Sequence, residues 1–217
     1  LQVRNQFALF LPLDPPFFES AAVRDGVMIS LTHSSVYVTE QSSSWTVNMD
    51  FELTELSVRF KKKVGDRSEI GLDVPFLRFS GGFLDRPLED FHRALGAKDY
   101  GRHARPQNAF LYEAARSGRP IINAENDRSG MGDARLTFKQ EITDGFPLVS
   151  VMGTLELPTG DAKRGYGNGS YDGSLAVLVD MELGKTYRGY GNGGAVFPGA
   201  LKGYETIPMR TSYYAAI

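Results

Sequence analysis

The sequence predicts an all-β protein, an antiparallel up-and-down transmembrane β-barrel of about ten strands with one short amphipathic helix in a loop. Three observations carry that prediction: period-two alternation over three consecutive runs, a short-turn and long-loop rhythm between them, and aromatic residues at the run ends. In the first run Ala134, Leu136, Phe138 and Ile142 share one face while Arg135, Thr137, Lys139 and Glu141 share the other, with Gln140 the polar exception on the apolar face. The second run sets Val149, Val151, Gly153, Leu155 and Leu157 against Ser150, Met152, Thr154 and Glu156; the third sets Leu175, Val177, Val179, Met181 and Leu183 against Ser174, Ala176, Leu178, Asp180 and Glu182. Short turns at 143–146 and 184–186 flank a long Gly-rich loop, the spacing of outer-membrane barrels with short periplasmic turns and longer outer loops.

Alternation alone does not say which face is inside. A soluble barrel buries its apolar face, whereas a membrane barrel turns it to lipid around a polar lumen. Phe146, Tyr166, Tyr171, Tyr187, Tyr190 and Phe197 fall at predicted strand ends, where an interfacial girdle sits, and this placement favours the membrane. Arg135, Lys139, Glu141, Glu156, Asp180 and Glu182 then form a lumen charge network, either a solute filter or a lock inside a narrow barrel; about ten strands favour the lock.

The remaining elements follow in order. Residues 1–26 form an N-terminal arm, because Pro12, Pro15 and Pro16 bar a central strand. Val27, Ile29, Leu31 and His33 alternate with Met28, Ser30, Thr32 and Ser34 in the first strand, which 36–39 prolongs. In the next, apolar residues occupy odd positions from Trp45 to Leu53 and even ones from Leu56 to Phe60, a slip that predicts a β-bulge near Thr54-Glu55. Ile70, Leu72, Val74 and Phe76 form another strand. Within a loop insertion at 80–107, Leu84, Leu88, Phe91 and Leu95 keep helical spacing, with Asp85 as cap and Gly96 as stop; this stripe is expected to dock the helix on the barrel mouth or interior. Residues 108–114 and 121–124 are weaker strands, and 187–197 and 209–217 supply two more. The hexapeptide Arg164-Gly-Tyr-Gly-Asn-Gly169 recurs at Arg188 to Gly193, which predicts turn chemistry at both ends of the third run.

Composition narrows the function. The 217 residues suit one domain, 1–217. A net charge of -2 and a pI near 6.0 provide no basic field, which excludes nucleic acid as the expected partner. With no cysteine, disulfides and thiolate metal sites are excluded, and His33, His92 and His103 share no ligand spacing, so neither metal nor cofactor is expected. The N-terminus carries no secretion signal, so an exported chain would be a mature form or a fragment, located in the bacterial outer membrane with lipid and small solutes as partners. One catalytic alternative stands out: His33 and Ser35 lie two apart on one strand face beside Leu31, as a base and nucleophile for lipid ester cleavage, with Glu40, Gln41 or Asn48 as the third residue. A soluble ligand-binding β-barrel is the other alternative.

Several motifs carry a family resemblance. Val3-Arg-Asn-Gln-Phe7, the stretch Leu72 to Phe91 with its Ser-Gly-Gly-Phe-Leu-Asp core, Arg105-Pro-Gln-Asn108, Gly130-Met-Gly-Asp133 and Leu157-Pro-Thr-Gly-Asp161 together resemble a family of uncharacterised bacterial outer-membrane β-barrels. The resemblance covers nearly the whole chain and implies a barrel with no activity to carry over. Such barrels usually end in an aromatic residue, whereas this chain ends Tyr213-Tyr-Ala-Ala-Ile217; a truncated C-terminus or another mode of closure is expected.

Overall fold

The computed structural model describes residues 19–98 and 101–217 and holds thirteen strands and one α-helix among them. The strands are β1 Gly26–Gln41, β2 Trp45–Val64, β3 Ser68–Ser80, β4 Leu111–Arg116, β5 Arg119–Asn123, β6 Arg128–Met131, β7 Ala134–Glu141, β8 Leu148–Leu157, β9 Asp172–Leu183, β10 Tyr187–Phe197, β11 Leu201–Lys202, β12 Thr206–Ile207 and β13 Ser212–Ala216; helix α1 spans Asp85–Leu95. Residues 1–18, including the Val3 to Phe7 motif and most of the N-terminal arm, lie outside the described residues.

The fold is all-β and antiparallel: β1, β2, β3, β7, β8, β9, β10 and β13 pair in sequence as one curled half-barrel sheet. Among the described residues β1 and β13 are its two edges. The three tight turns at 65–67, 142–147 and 184–186 gather at one end, the turn end. Long connections at 81–133, 158–171 and 198–211 gather at the other, where they carry α1, β4, β5, β6, β11 and β12 as a cap.

The sheet is inverted relative to a soluble barrel over its turn-end half. Leu136, Phe138, Val151, Leu155, Leu175, Val177, Met181 and Leu183 are exposed on the convex face. Register joins them to Val27, Ile29 and Leu31 through Phe60, Leu56, Leu72 and Ile70, giving one contiguous apolar belt in which the bonded Ser68–Gln140 pair is a polar exception. On the concave face Ser57, Arg59, Glu69, Asp73, Lys139, Ser150 and Asp180 are buried instead. Near the cap the polarity changes over. There Val36, Met49, Phe51, Leu77, Phe79, Tyr112, Ile121 and Tyr166 pack as an apolar core between the sheet and the cap loops, with the Phe51 and Tyr112 rings stacked at 4.7 Å.

This change of side corrects the expected bulge. The β1–β2 register runs unbroken from Gly26↔Lys61 to Gln41↔Thr46, and β2–β3 from Glu52↔Ser80 to Val64↔Ser68, so β2 is regular through Thr54-Glu55. Its odd positions face inward throughout: Met49 and Phe51 into the cap core, then Glu55, Ser57 and Arg59 into the polar concavity. The residues change class because the strand passes between two environments.

The helix also sits elsewhere than expected. Leu84 and Leu88 are half-buried, but Phe91 is 58% and Leu95 66% exposed, and the segment leading into α1 is fastened to the convex side of β1 and β2 rather than to the mouth or interior. Gly96 does end the helix, at φ 65°, whereas Asp85 opens it as its first residue and spends its carboxylate on Arg102 and the Asn108 N–H. Phe91→Ala should therefore cost under about 1 kcal/mol, the scale of a surface substitution, and leave tryptic cleavage after Arg93 unchanged. A loss of 3 kcal/mol in a urea titration would show that the ring is buried after all.

The repeated hexapeptide takes two conformations. The first copy is a loop in which Gly165 and Gly169 have positive φ and Tyr166 enters the cap core; the second is part of β10, in ladder with β9. Turn chemistry thus holds for the first copy alone. Tyr166 also leaves the expected girdle, while Phe146, Tyr171, Tyr187, Tyr190 and Phe197 remain exposed.

Candidate functional site

Two polar constellations are built into the sheet, one on each face. The concave one fills the turn end. Arg135 Nε donates to Glu156 at 2.6 Å; Arg59 bridges Glu19 at 2.6 Å and Asp73 at 3.1 Å; Lys61 reaches Glu19 at 2.5 Å and Lys139 reaches Glu69 at 3.3 Å. These groups are nearly all buried, so each charge depends on its partner for what water would otherwise supply.

Residues 19–25 cross this concavity as a strap. Asp180 accepts from the Ser20 hydroxyl and from Ala21 N–H at 2.9 Å, Glu141 from Val23 N–H at 2.6 Å and Glu69 from Arg24 N–H at 2.8 Å. Lys139 Nζ donates to the Ser20 and Ala22 carbonyls, and Ser150 to that of Ala21. Side chains of four strands thus satisfy the backbone of a segment that has no ladder of its own. A cavity of about 50 Å³ remains beside the strap, lined in part by Arg59, Asp73, Arg135 and Glu156, with room for a few waters.

Of the six charges expected in the lumen, Arg135, Lys139, Glu141, Glu156 and Asp180 therefore meet in this network. Glu182 does not; it lies exposed near the 184–186 turn, 3.9 Å from Arg188. Glu19, Arg59, Lys61, Glu69 and Asp73 were missed. The signal for four of them was present, since Arg59 and Lys61 alternate with Phe60, and Glu69 and Asp73 with Ile70 and Leu72.

The convex constellation lies at the cap border of the belt. Glu52, fully buried, accepts from the Phe83 N–H at 2.8 Å and from the Leu84 N–H, and so supplies to the start of α1 the capping acceptor that no local side chain provides. Gly82, at φ 73°, lies where any Cβ would run into the Glu52 carboxylate, so only glycine lets the loop close on it. The second Glu52 oxygen lies 2.6 Å from His33 Nε2, and His33 Nδ1 lies 2.8 Å from Thr54 Oγ1. The Phe83 ring stacks on the imidazole, centroids 5.1 Å apart. Beside them Arg102 donates to Ser35 Oγ at 2.9 Å and pairs with Asp85 and Asp50.

His33 and Ser35 are thus on the predicted face but not bonded to each other: both imidazole nitrogens and the Ser35 oxygen have other partners. The residue that orients the ring is Glu52, not Glu40, Gln41 or Asn48; Asn48 pairs with Glu113 instead. Leu84 joins this clamp through its N–H, while Phe91 and Leu95 lie exposed.

The remaining motifs fasten loops within the cap. Thr159 Oγ accepts from Ala134 N–H and donates to the Gly132 carbonyl, while Asp133 accepts from Gly160 and Asn168 N–H. Burial pushes the Asp133 carboxyl up, against those two bonds and the Arg135 charge, which pull it down.

A family model described as a protein of unknown function (DUF3187) matches residues 5–215. The chain belongs to the DUF3187 family. Neither the curated proteins nor the solved structures compared with this DUF3187 chain match it. Among its described residues no helix is long and apolar enough to cross a membrane, which says nothing of crossing by strands.

Proposed function

We propose that this DUF3187 protein is a β-barrel protein of the bacterial outer membrane, whose convex belt meets lipid and whose concave charge network and strap lock the barrel interior against free solute passage. The observation that carries this reading is the inverted sheet: a contiguous apolar face is exposed while charges are buried opposite it. Scattered exposed apolar residues are ordinary on soluble proteins, but a contiguous sheet face of them marks a membrane or partner surface. On β9 the belt runs from Leu175 to Leu183, nine residues, the lower end of the roughly 9–11 that a tilted membrane-spanning strand takes. Exposed Phe146 and Tyr187 at the turn end, with Tyr171 and Phe197 at the other, suit its two interfaces, whereas Tyr190 pairs with Asp180 and lies on the concave face. The strap and the small residual cavity favour a locked interior over a porin-like channel.

Spin labels at Val151 and Val177, 41% and 47% exposed, test the belt in lipid nanodiscs. Both should be open to oxygen and shielded from aqueous nickel reagents, while a label at Asp180 should show little oxygen contact. Nickel access at Val151 and Val177 equal to that of a label at Glu182 would refute the membrane reading and favour a soluble barrel.

A further inference from the structure

A carboxylate only accepts, so His33 Nε2 donates to Glu52; in the neutral ring Nδ1 is then the acceptor, and the hydroxyl bonded to it at 2.8 Å is that of Thr54. Nucleophile, base and orienting carboxylate form one hydrogen-bonded array, the arrangement that activates a hydroxyl for acyl transfer. Glu52 is itself fixed by the Phe83 and Leu84 N–H groups, so the ring is held in one orientation. Thr54 is half-buried on the convex side, and the next rungs of that face are Leu31↔Leu56, Ile29↔Val58 and Val27↔Phe60. From Thr54 to Phe60 this apolar track runs six residues, roughly 20 Å, enough to bed a long acyl chain with its ester at the array.

We propose that Thr54, His33 and Glu52 form an ester-cleaving centre for acyl esters of lipids lying along the belt, with Thr54 as nucleophile, His33 as general base and Glu52 as positioning residue. Thr54 Oγ adds to the ester carbonyl carbon as its proton passes to His33 Nδ1. The bond to the alcohol oxygen then breaks, that oxygen takes the proton from His33, and the acyl group remains on Thr54. Water repeats the sequence: it gives a proton to His33, adds to the acyl carbon, and the fatty acid leaves as Thr54 recovers its proton. Ser35, held by Arg102, is outside this chain of transfers.

The lipid substrate class rests on the membrane reading, which the spin labels decide separately. The test uses the whole protein in detergent with dioleoylphosphatidylcholine mixed micelles and, in parallel, the water-soluble p-nitrophenyl butyrate. Fatty acid release is expected, reduced at least about 10²-fold in Thr54→Val and His33→Ala, the scale of general-base assistance, and kept within tenfold in Thr54→Ser and Ser35→Ala. Glu52→Gln should lower kcat with KM unchanged. A fluorophosphonate should label wild-type Thr54, a readout that does not depend on how any variant folds. No hydrolysis of either ester by wild type, labelling of Ser35 instead, or full activity in Thr54→Val would overturn the centre even with the belt lipid-exposed. Thr54-dependent cleavage of the soluble ester with a water-exposed belt would overturn the lipid substrate alone.

Discussion

Lys139→Ala is expected to destabilise the protein by about 3–5 kcal/mol and to release the strap. The Lys139 side chain is 1% exposed and holds Glu69 together with the Ser20 and Ala22 carbonyls. Its loss leaves the Ser20 and Ala22 carbonyls without their donor and Glu69 with only the longer Lys61 contact at 3.8 Å and the Arg24 N–H, and removing one partner of a buried ion pair costs on that scale. Two readouts separate strap from sheet: a urea midpoint for the whole, and trypsin cleavage after Arg24, which should accelerate as residues 19–25 leave the concavity. Glu182→Ala is the companion measurement. Its pair with Arg188 is exposed and 3.9 Å long, so the change should stay within a few tenths of a kcal/mol. Equal effects of the two substitutions would mean that the concave network does not hold the strap.

Gly82→Ala should be nearly as damaging, for a steric reason. A side chain at φ 73° costs about 1–3 kcal/mol in backbone strain, and the added Cβ would displace Glu52 from the Phe83 and Leu84 N–H groups, each charge-assisted bond carrying about 1.5–3 kcal/mol. A loss of order 4 kcal/mol or more is expected, with faster tryptic cleavage after Arg93 as the start of α1 detaches. Gly96→Ala isolates the strain contribution: its φ is 65°, but nothing lies within 4 Å of the new Cβ, so about 1 kcal/mol is expected. If both glycines respond alike, closure on Glu52 contributes little.

The belt was legible in the sequence because β7, β8 and β9 each keep one period across their whole length. What β2 does was not, because a period reports a face and not its surroundings: Phe51 and Arg59 point the same way, one into the cap core and the other into the charge network. The clamp was half legible. His33 and Ser35 were visible as a pair, but their partners depend on where the β1–β2 hairpin turns. The residues at 42–44 make that turn, which sets His33 against Thr54 and Ser35 against Glu52. Fixing the register from the turn would have found Glu52, whereas searching the neighbouring loop for a polar residue pointed to Glu40, Gln41 and Asn48. The helix stripe misled because Phe91 and Leu95 are apolar without being buried, a pattern that amphipathic spacing cannot distinguish from docking.

The two sheet edges bear on how the chain behaves in solution. Among the described residues no strand is laddered to the outer backbone row of β1, sixteen residues long, or to that of β13 beyond β10. Such rows are templates for strand addition, and β1 also presents Val27, Ile29 and Leu31 alongside its row. Refolding should consequently depend on concentration, with dilute chains staying dispersed in detergent and crowded ones growing edge to edge into sheet-rich aggregates. In hydrocarbon any group left unmet along such a margin would cost several kcal/mol, so a bilayer accepts a sheet of this kind only where further chain satisfies both margins.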